Sequence, residues 1–264
     1  MKLEILGVGV HVATPDAHWE GFLRRLWEPL IVEGARTELR FEVAARGQGW
    51  VLRTEERDLG MSTNPWLIAD GLRNVLFEMA VPLATHVVTL HAAALVHGGT
   101  VLLVAGASGT GKTTLSLALV ERGWRLLSDD AAPIDRLTGE VVPVPKPVGI
   151  KAPELWVAMG GSGEGWPGPP SGAFLVPAPA PHLEPASPTH LVFATFDPGS
   201  EDRSEELTTA QAVALLGPLV RTVEPATVSE LTRVAGAVRA IRAGYGSTAG
   251  ALDLLTRWFH PATG

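Results

Sequence analysis

Over the first 85 residues the spacing of hydrophobic positions changes several times, and each change marks an element. Met1–Ala13 clusters apolar and β-branched residues and reads as strand. In Ala17–Val32 the bulky positions Trp19, Phe22, Leu23, Leu26, Trp27 and Leu30 recur at helical spacing. Leu39–Ala44 and Gly49–Arg53 alternate as the two strands of a hairpin. Pro65–Met79 returns to the helical period, with Trp66, Ile68, Leu72, Val75, Leu76 and Met79 along one face. The pattern predicts a small α+β unit over residues 1–85.

From His86 the chain changes character. Val87–Ala107 is its most apolar stretch, but His91, His97, Gly98 and Gly99 interrupt it. A membrane span needs about 20 largely uninterrupted apolar residues. Two buried strands around a turn fit better. Thr100–Ala105 is a short strand, Gly106–Thr114 a glycine loop, and Leu115–Arg122 a helix that Gly123 caps. Trp124–Ser128 is a further strand and ends in Asp129-Asp130. Strand, loop, helix and strand in succession predict an α/β fold with a parallel sheet and crossover helices. Gly160–Pro188 is rich in Gly, Pro and Ala and reads as a long structureless insert, of the kind used as a lid or partner-binding arm. Beyond it, Thr189–Phe196 reads as strand, and Thr208–Leu219, Val228–Ala243 and Ser247–Trp258 as helices. No internal repeat is visible.

Composition narrows the classes. With 264 residues, 46% hydrophobic and 19% charged, the chain is an ordinary globular sequence, large enough for an α/β core and a smaller unit. A net charge of −7 gives no reason to expect a nucleic-acid partner. The absence of cysteine excludes disulfides, thiolate zinc sites and cysteine nucleophiles. Met1-Lys2-Leu3-Glu4 lacks the basic stretch and apolar run of a signal peptide, so a cytoplasmic location with no membrane partner is expected.

Candidate chemistry centres on Gly106-Ala107-Ser108-Gly109-Thr110-Gly111-Lys112-Thr113, which matches the Walker A pattern G-x-x-x-x-G-K-[ST] at every fixed position. Glycines let the backbone turn so that several N–H groups converge on phosphate oxygens. The helix that follows adds its positive N-terminal end. Gly106, Ser108, Gly109, Thr110, Gly111, Lys112, Thr113 and Thr114 are therefore the expected nucleotide-binding residues. Lys112 would serve the β- and γ-phosphates, and Thr113 the Mg²⁺. Lysine otherwise occurs only as Lys2, Lys146 and Lys151, so its use in this slot stands out.

Seventeen residues after Lys112 comes Asp129-Asp130, at the end of a strand expected beside the loop strand. A carboxylate there suits a Walker B metal ligand. Two suggest a division of labour, one acid for the metal and one for a proton. The plain alternative is a turn-capping Asp130 before Pro133. His91, fifteen residues before Gly106, reads on its own as a hydrogen-bonded core histidine, and His97 beside the Gly98-Gly99 turn as structural.

His91, the glycine loop and the double aspartate have the order and spacing of the C-terminal catalytic domain of HPr kinase/phosphorylase. The run from His91 to Asp130 in particular resembles the HPr-kinase-related proteins of peptide biosynthesis clusters, including lasso-peptide precursor kinases, and the likeness is specific over residues 86–151. The resemblance implies a P-loop kinase-like domain over 86–264, with the 160–188 segment inserted. It implies Asp130 as the base for the acceptor hydroxyl, His91 as the neighbour that tunes it, Lys112 as a catalytic cation, and Thr113 with Asp129 as Mg²⁺ ligands. The implied function is an ATP-dependent kinase acting on a serine hydroxyl of a peptide or protein, and the hexameric family members imply a homo-oligomer. One departure stands out. Where the family carries an acidic ligand, this chain has Val144-Pro145-Lys146-Pro147-Val148-Gly149-Ile150. That puts a second metal ligand from this strand in doubt, and leaves Lys146 and Lys151 as solvated surface lysines or as contacts to phosphate or an acidic substrate. A small-molecule hydroxyl kinase and a nucleotide-binding switch without transfer chemistry are the competing readings.

Overall fold

A computed structural model describes residues 1–34, 36–151, 153–159, 174–222 and 227–259. The chain is mixed α/β and divides into two compact units. One comprises Met1–Thr85 with Pro145–Ala178, the other His86–Val144 with Pro179–Gly264.

The first unit opens with β1 (Lys2–Ile5), β2 (Val8–Ala13), α1 (Ala17–Trp27), β3 (Leu39–Arg46), β4 (Gly49–Arg53), β5 (Asp58–Ser62) and α2 (Pro65–Ala80). Its five strands pair in chain order, with β2 and β3 parallel and the other neighbours antiparallel. Met1–Ala13 is thus a hairpin turning at Leu6-Gly7. Both helices start on a side-chain cap: Asp16 accepts from Trp19 N and Asn64 from Trp66 N, each at 2.9 Å. Such caps satisfy amides that the first turn leaves without partners. The apolar stripe of each helix then turns inward. Trp19 and Phe22 of α1 and Trp66 of α2 are almost fully buried, and Phe22 meets Trp66 edge to face at 5.1 Å.

The second unit begins with β6 (Val87–Leu90), β7 (Ala92–His97), β8 (Thr100–Ala105), α3 (Lys112–Val120), β9 (Arg125–Ser128) and β10 (Ala132–Asp135). The chain then contributes β11 (Val148–Ile150), α4 (Pro153–Ala158) and β12 (Phe174–Val176) to the first unit, where Trp156 meets Trp66 edge to face at 5.7 Å and lies tilted against Phe174 at 4.8 Å. It returns with β13 (His190–Phe196), β14 (Arg203–Leu207), α5 (Thr209–Leu216), α6 (Thr227–Ala237), β15 (Arg239–Tyr245) and α7 (Thr248–Phe259).

The central sheet of this unit runs β14-β15-β13-β8-β7-β9. Here β8, β13 and β15 are parallel, whereas β7 and β14 are antiparallel to their neighbours. The expected parallel sheet is present in β8, β13 and β15, but the sheet as a whole is mixed: the two strands expected around the Gly98-Gly99 turn form an antiparallel β7–β8 hairpin, and β14 pairs antiparallel at the edge. β6 leaves this sheet and pairs with β10. Alternation along the strands feeds two layers. Val101, Leu103, Ala105, Leu191 and Phe193 join a core with Ala212, Leu216, Leu231 and Val234 of α5 and α6, while α3 and α7 pack together and against the sheet.

Two further expectations change. Val228–Ala243 is not one helix: α6 ends at Ala237, and Arg239–Tyr245 is a central strand of the sheet. Of the Gly160–Pro188 insert, residues 160–173 lie outside the described residues. The remainder is not structureless, since β12 is a strand and Ala180–His182 hydrogen-bonds along Leu126 of β9.

Candidate active site

Register assembles the site at one end of the sheet. β8 pairs antiparallel with β7 so that Ala105 faces Ala92. That sets His91, just before β7, at the edge where the glycine loop leaves β8. β9 pairs with β7 through Ala94 and Ser128, which delivers Asp129 and Asp130 to the same edge. The strand with the double aspartate is therefore not beside the loop strand as expected. β7 lies between them, and the hairpin puts a histidine where a direct neighbour would have left none.

The glycine loop bends as its composition requires. Gly106, Gly109 and Gly111 have φ of +154°, +85° and +88°. A side chain at Gly106 would begin 2.7 Å from Thr110 Oγ1 and 2.9 Å from Ala194 O, and one at Gly111 would begin 3.1 Å from Tyr245 Oη. Neither position admits a larger residue without movement. The outer edge of the loop is braced as well, for Phe196 N donates to Thr110 O at 3.2 Å. Tyr245 packs beneath it with its phenol pushed up to about 12 by burial. Ser108, Gly109 and Thr114 are exposed, and Thr110 Oγ1 donates to Ala107 O at 2.9 Å.

Lys112 begins α3 and is 6% exposed. Its Nζ donates to Gly106 O and Ala107 O, both at 2.9 Å, and lies 3.2 Å from His91 Nε2. Thr113, next on the helix, donates from Oγ1 to Asp129 at 3.2 Å from Oδ1 and 3.3 Å from Oδ2. Asp129 is 3% exposed. Hydroxyl and carboxylate are hard oxygen donors of the kind Mg²⁺ takes, and Mg²⁺ commonly uses one or two carboxylates together with phosphate and water. The pair fits that ion. Among the described residues no group of three or more His, Cys, Asp or Glu side chains gathers as a fuller metal site.

Asp130 sits in the left-handed region at φ 60°, which aspartate tolerates better than most residues. The Ser128 hydroxyl donates to Ala131 O and ties this turn together. Asp130 Oδ1 lies 3.2 Å from His91 Nδ1. A further residue completes the cluster, and sequence reasoning missed it. Arg221 Nη2 is 2.7 Å from His91 Nδ1, 3.2 Å from Asp130 O and 3.3 Å from Asp130 Oδ2. It is placed by strand-like bonding of Leu219–Arg221 against Thr89–His91: His91 N donates to Leu219 O at 2.7 Å and Arg221 N to Thr89 O at 2.9 Å.

His91 thus stands between two cations. Burial is the main cause that lowers its pKa below the ordinary value, and Lys112 and Arg221 push the same way. Asp130 opposes them. A neutral imidazole follows, since a doubly protonated ring would aim N–H groups at both cations.

The structure therefore brings together His91, Lys112, Thr113, Asp129 and Asp130 around the glycine loop. Lys146 is 4% exposed, with its ammonium 4.6 Å above the Phe77 ring, so it is not a solvated surface lysine. Lys151 is exposed. His97 Nδ1 is 3.1 Å from Gly123 O, a local structural contact.

No protein-family model matches the chain, and no curated protein does. Among solved structures, the Hpr(Ser) kinase/phosphatase from Coxiella burnetii aligns at 14% identity over 65% of this chain and 97% of that one, with a TM-score of 0.28. A superposition that loose transfers no residue role. Among the described residues no helix is long and apolar enough to cross a membrane.

Proposed function

We propose that the chain is an ATP-dependent phosphotransferase that moves the γ-phosphoryl group to a serine-type hydroxyl of a peptide or protein. The observation that carries the proposal is the continuous line of contacts from the glycine loop to an acid: Lys112 to His91, His91 to Asp130, and Thr113 to Asp129. The peptide acceptor rests on the sequence resemblance given above.

In this reading the loop amides and Lys112 hold the β- and γ-phosphates. Lys112 now donates to two loop carbonyls, and phosphate oxygens, which carry charge, are the stronger acceptors. Mg²⁺, held by Thr113 and Asp129, supplies neutralisation of the phosphate charge. Asp130 is 35% exposed at its side chain, enough for an incoming hydroxyl to reach it. Its carboxylate takes the hydroxyl proton as oxygen bonds to the γ-phosphorus. The bond from that phosphorus to the bridging oxygen breaks, and ADP departs. Arg221 and neutral His91 hold the carboxylate in position. Much of the rate comes from positioning and electrostatics.

The test is incubation of the full chain with Mg²⁺, γ-labelled ATP and serine-containing peptides encoded near its own gene. Label on a peptide serine is the expected result. Label released only as inorganic phosphate would favour the switch reading, and no consumption of ATP under any condition would overturn both.

A further inference from the structure

Asp129, Asp130, His91 and Arg221 all lie on the β7/β9 side of the glycine loop. On the phosphotransferase reading, on which this inference rests, the terminal phosphorus points to that side. The rest of the donor must then leave the loop in the opposite direction, toward β13 and β15, which lie on the other side of β8. A cleft of about 400 Å³ opens there, among Thr195, Asp197, Arg203, Ser204, Arg242 and Gly244. Thr195 and Asp197 flank Phe196, the residue whose amide bonds to loop residue Thr110. The cleft therefore starts one residue from the loop.

Its walls are fixed. Asp197 N donates to Tyr245 O at 3.0 Å, and Ser200 N and Oγ donate back to Asp197 O at 3.0 and 2.8 Å. Gly244 leaves room for Arg203, whose Nε lies 3.3 Å from where a Cβ would stand. Arg242 is held by Glu205 at 3.4 Å. Among the described residues, no hydrogen bond or ion pair engages the Asp197 carboxylate. An acceptor-only group in a polar cleft suits hydroxyl and amino donors.

We propose that this cleft holds the nucleoside half of the phosphate donor, with Asp197 accepting from ribose hydroxyls or a base amino group. The donor then lies across the loop from β13 to β9. Inorganic polyphosphate, which lacks a nucleoside, would use the loop alone.

Calorimetric titration with Mg²⁺, using ATP and inorganic tripolyphosphate as probes, tests the assignment on the full chain and three variants. Asp197→Ala removes the acceptor, Ser204→Trp fills the cleft from an exposed strand position, and Lys112→Ala disables the loop. The expected result is ATP affinity about tenfold weaker in Asp197→Ala and Ser204→Trp, with tripolyphosphate affinity within about twofold of the parent. The inference is overturned if both cleft variants bind ATP like the parent, if tripolyphosphate weakens as much as ATP, or if the parent binds both probes equally. In each of those cases loss of binding in Lys112→Ala still leaves the loop as the phosphate site. If Lys112→Ala binds as the parent does, the phosphotransferase reading itself fails.

Discussion

The two compact units treat polar groups in opposite ways. In the first, Trp19, Phe22, Trp27 and Trp66 fill the interior, and Lys146 is its one buried charged side chain among the described residues. Its ion pairs, such as Arg53–Glu42 and Arg46–Asp58, stand at the surface. The second unit buries Lys112, Ser128 and Asp129 at the ends of its strands, and also buries Glu230 against Arg136. Taking charge out of water costs several kcal/mol unless partners replace the lost hydration. A sheet end that carries a buried lysine and a buried aspartate forgoes stability there. Residues at that end are expected to govern reactivity more than folding, whereas those of the aromatic interior should do the reverse.

The largest expected effect follows from Asp130. Asp130→Asn keeps its size and hydrogen-bonding reach but not its basicity, and should lower phosphoryl transfer by roughly 10²–10⁴-fold. ATP binding and thermal stability should stay near parental. A parental transfer rate would remove Asp130 from the mechanism.

Trp66→Ala should do the opposite, destabilising the chain by about 3–5 kcal/mol in denaturant unfolding. Trp66→Phe should cost less, because it keeps an aromatic ring in the same space while removing a buried Nε1 donor that has no hydrogen-bond partner. Equal losses for the two variants would show that the ring volume Phe retains contributes nothing there.

A smaller effect depends on pH. His91 has a lowered pKa in the fold, and returns to about 6.5 on unfolding. Between the lowered value and about 6.5 the unfolded chain binds more protons, so stability falls as pH falls through that window and is unaffected above it. His91→Gln should reduce this pH slope. It should not abolish it, since His11 and His190 are lowered by burial too. An unchanged slope would mean that the imidazole is not held neutral.

The smallest effect belongs to the surface pairs. Arg53→Ala breaks an ion pair of 2.8 Å whose partners are both about 40% exposed, and should change stability by no more than about 1 kcal/mol. A loss of several kcal/mol would contradict the view that this unit depends on its aromatic interior.

What could be read from sequence was what is local. The bend at Gly106–Gly111, the helix that Lys112 begins and the acids after β9 each follow from a few consecutive residues. Register and sheet order do not. The β7 strand between β8 and β9 comes from a hairpin whose turn was visible but whose neighbours were not. Arg221 lies 130 residues from His91 in the chain. The contact exists because a short segment after α5 pairs with the end of β6, and no local pattern announces it. The helix expected over Val228–Ala243 failed for a related reason. Val234, Ala235, Val238, Ala240 and Ile241 fit a helical stripe or a buried strand equally well, and the place open between β13 and β14 decided for strand.

The most direct measurement is a crystal structure of the full chain with Mg²⁺ and a non-hydrolysable ATP analogue. The account predicts the β- and γ-phosphates within hydrogen-bond reach of Lys112 Nζ and the loop amides, with Mg²⁺ on Thr113 and Asp129 and the Asp130 carboxylate facing the γ-phosphorus. An analogue bound elsewhere, or both aspartates turned from the phosphates, would contradict it.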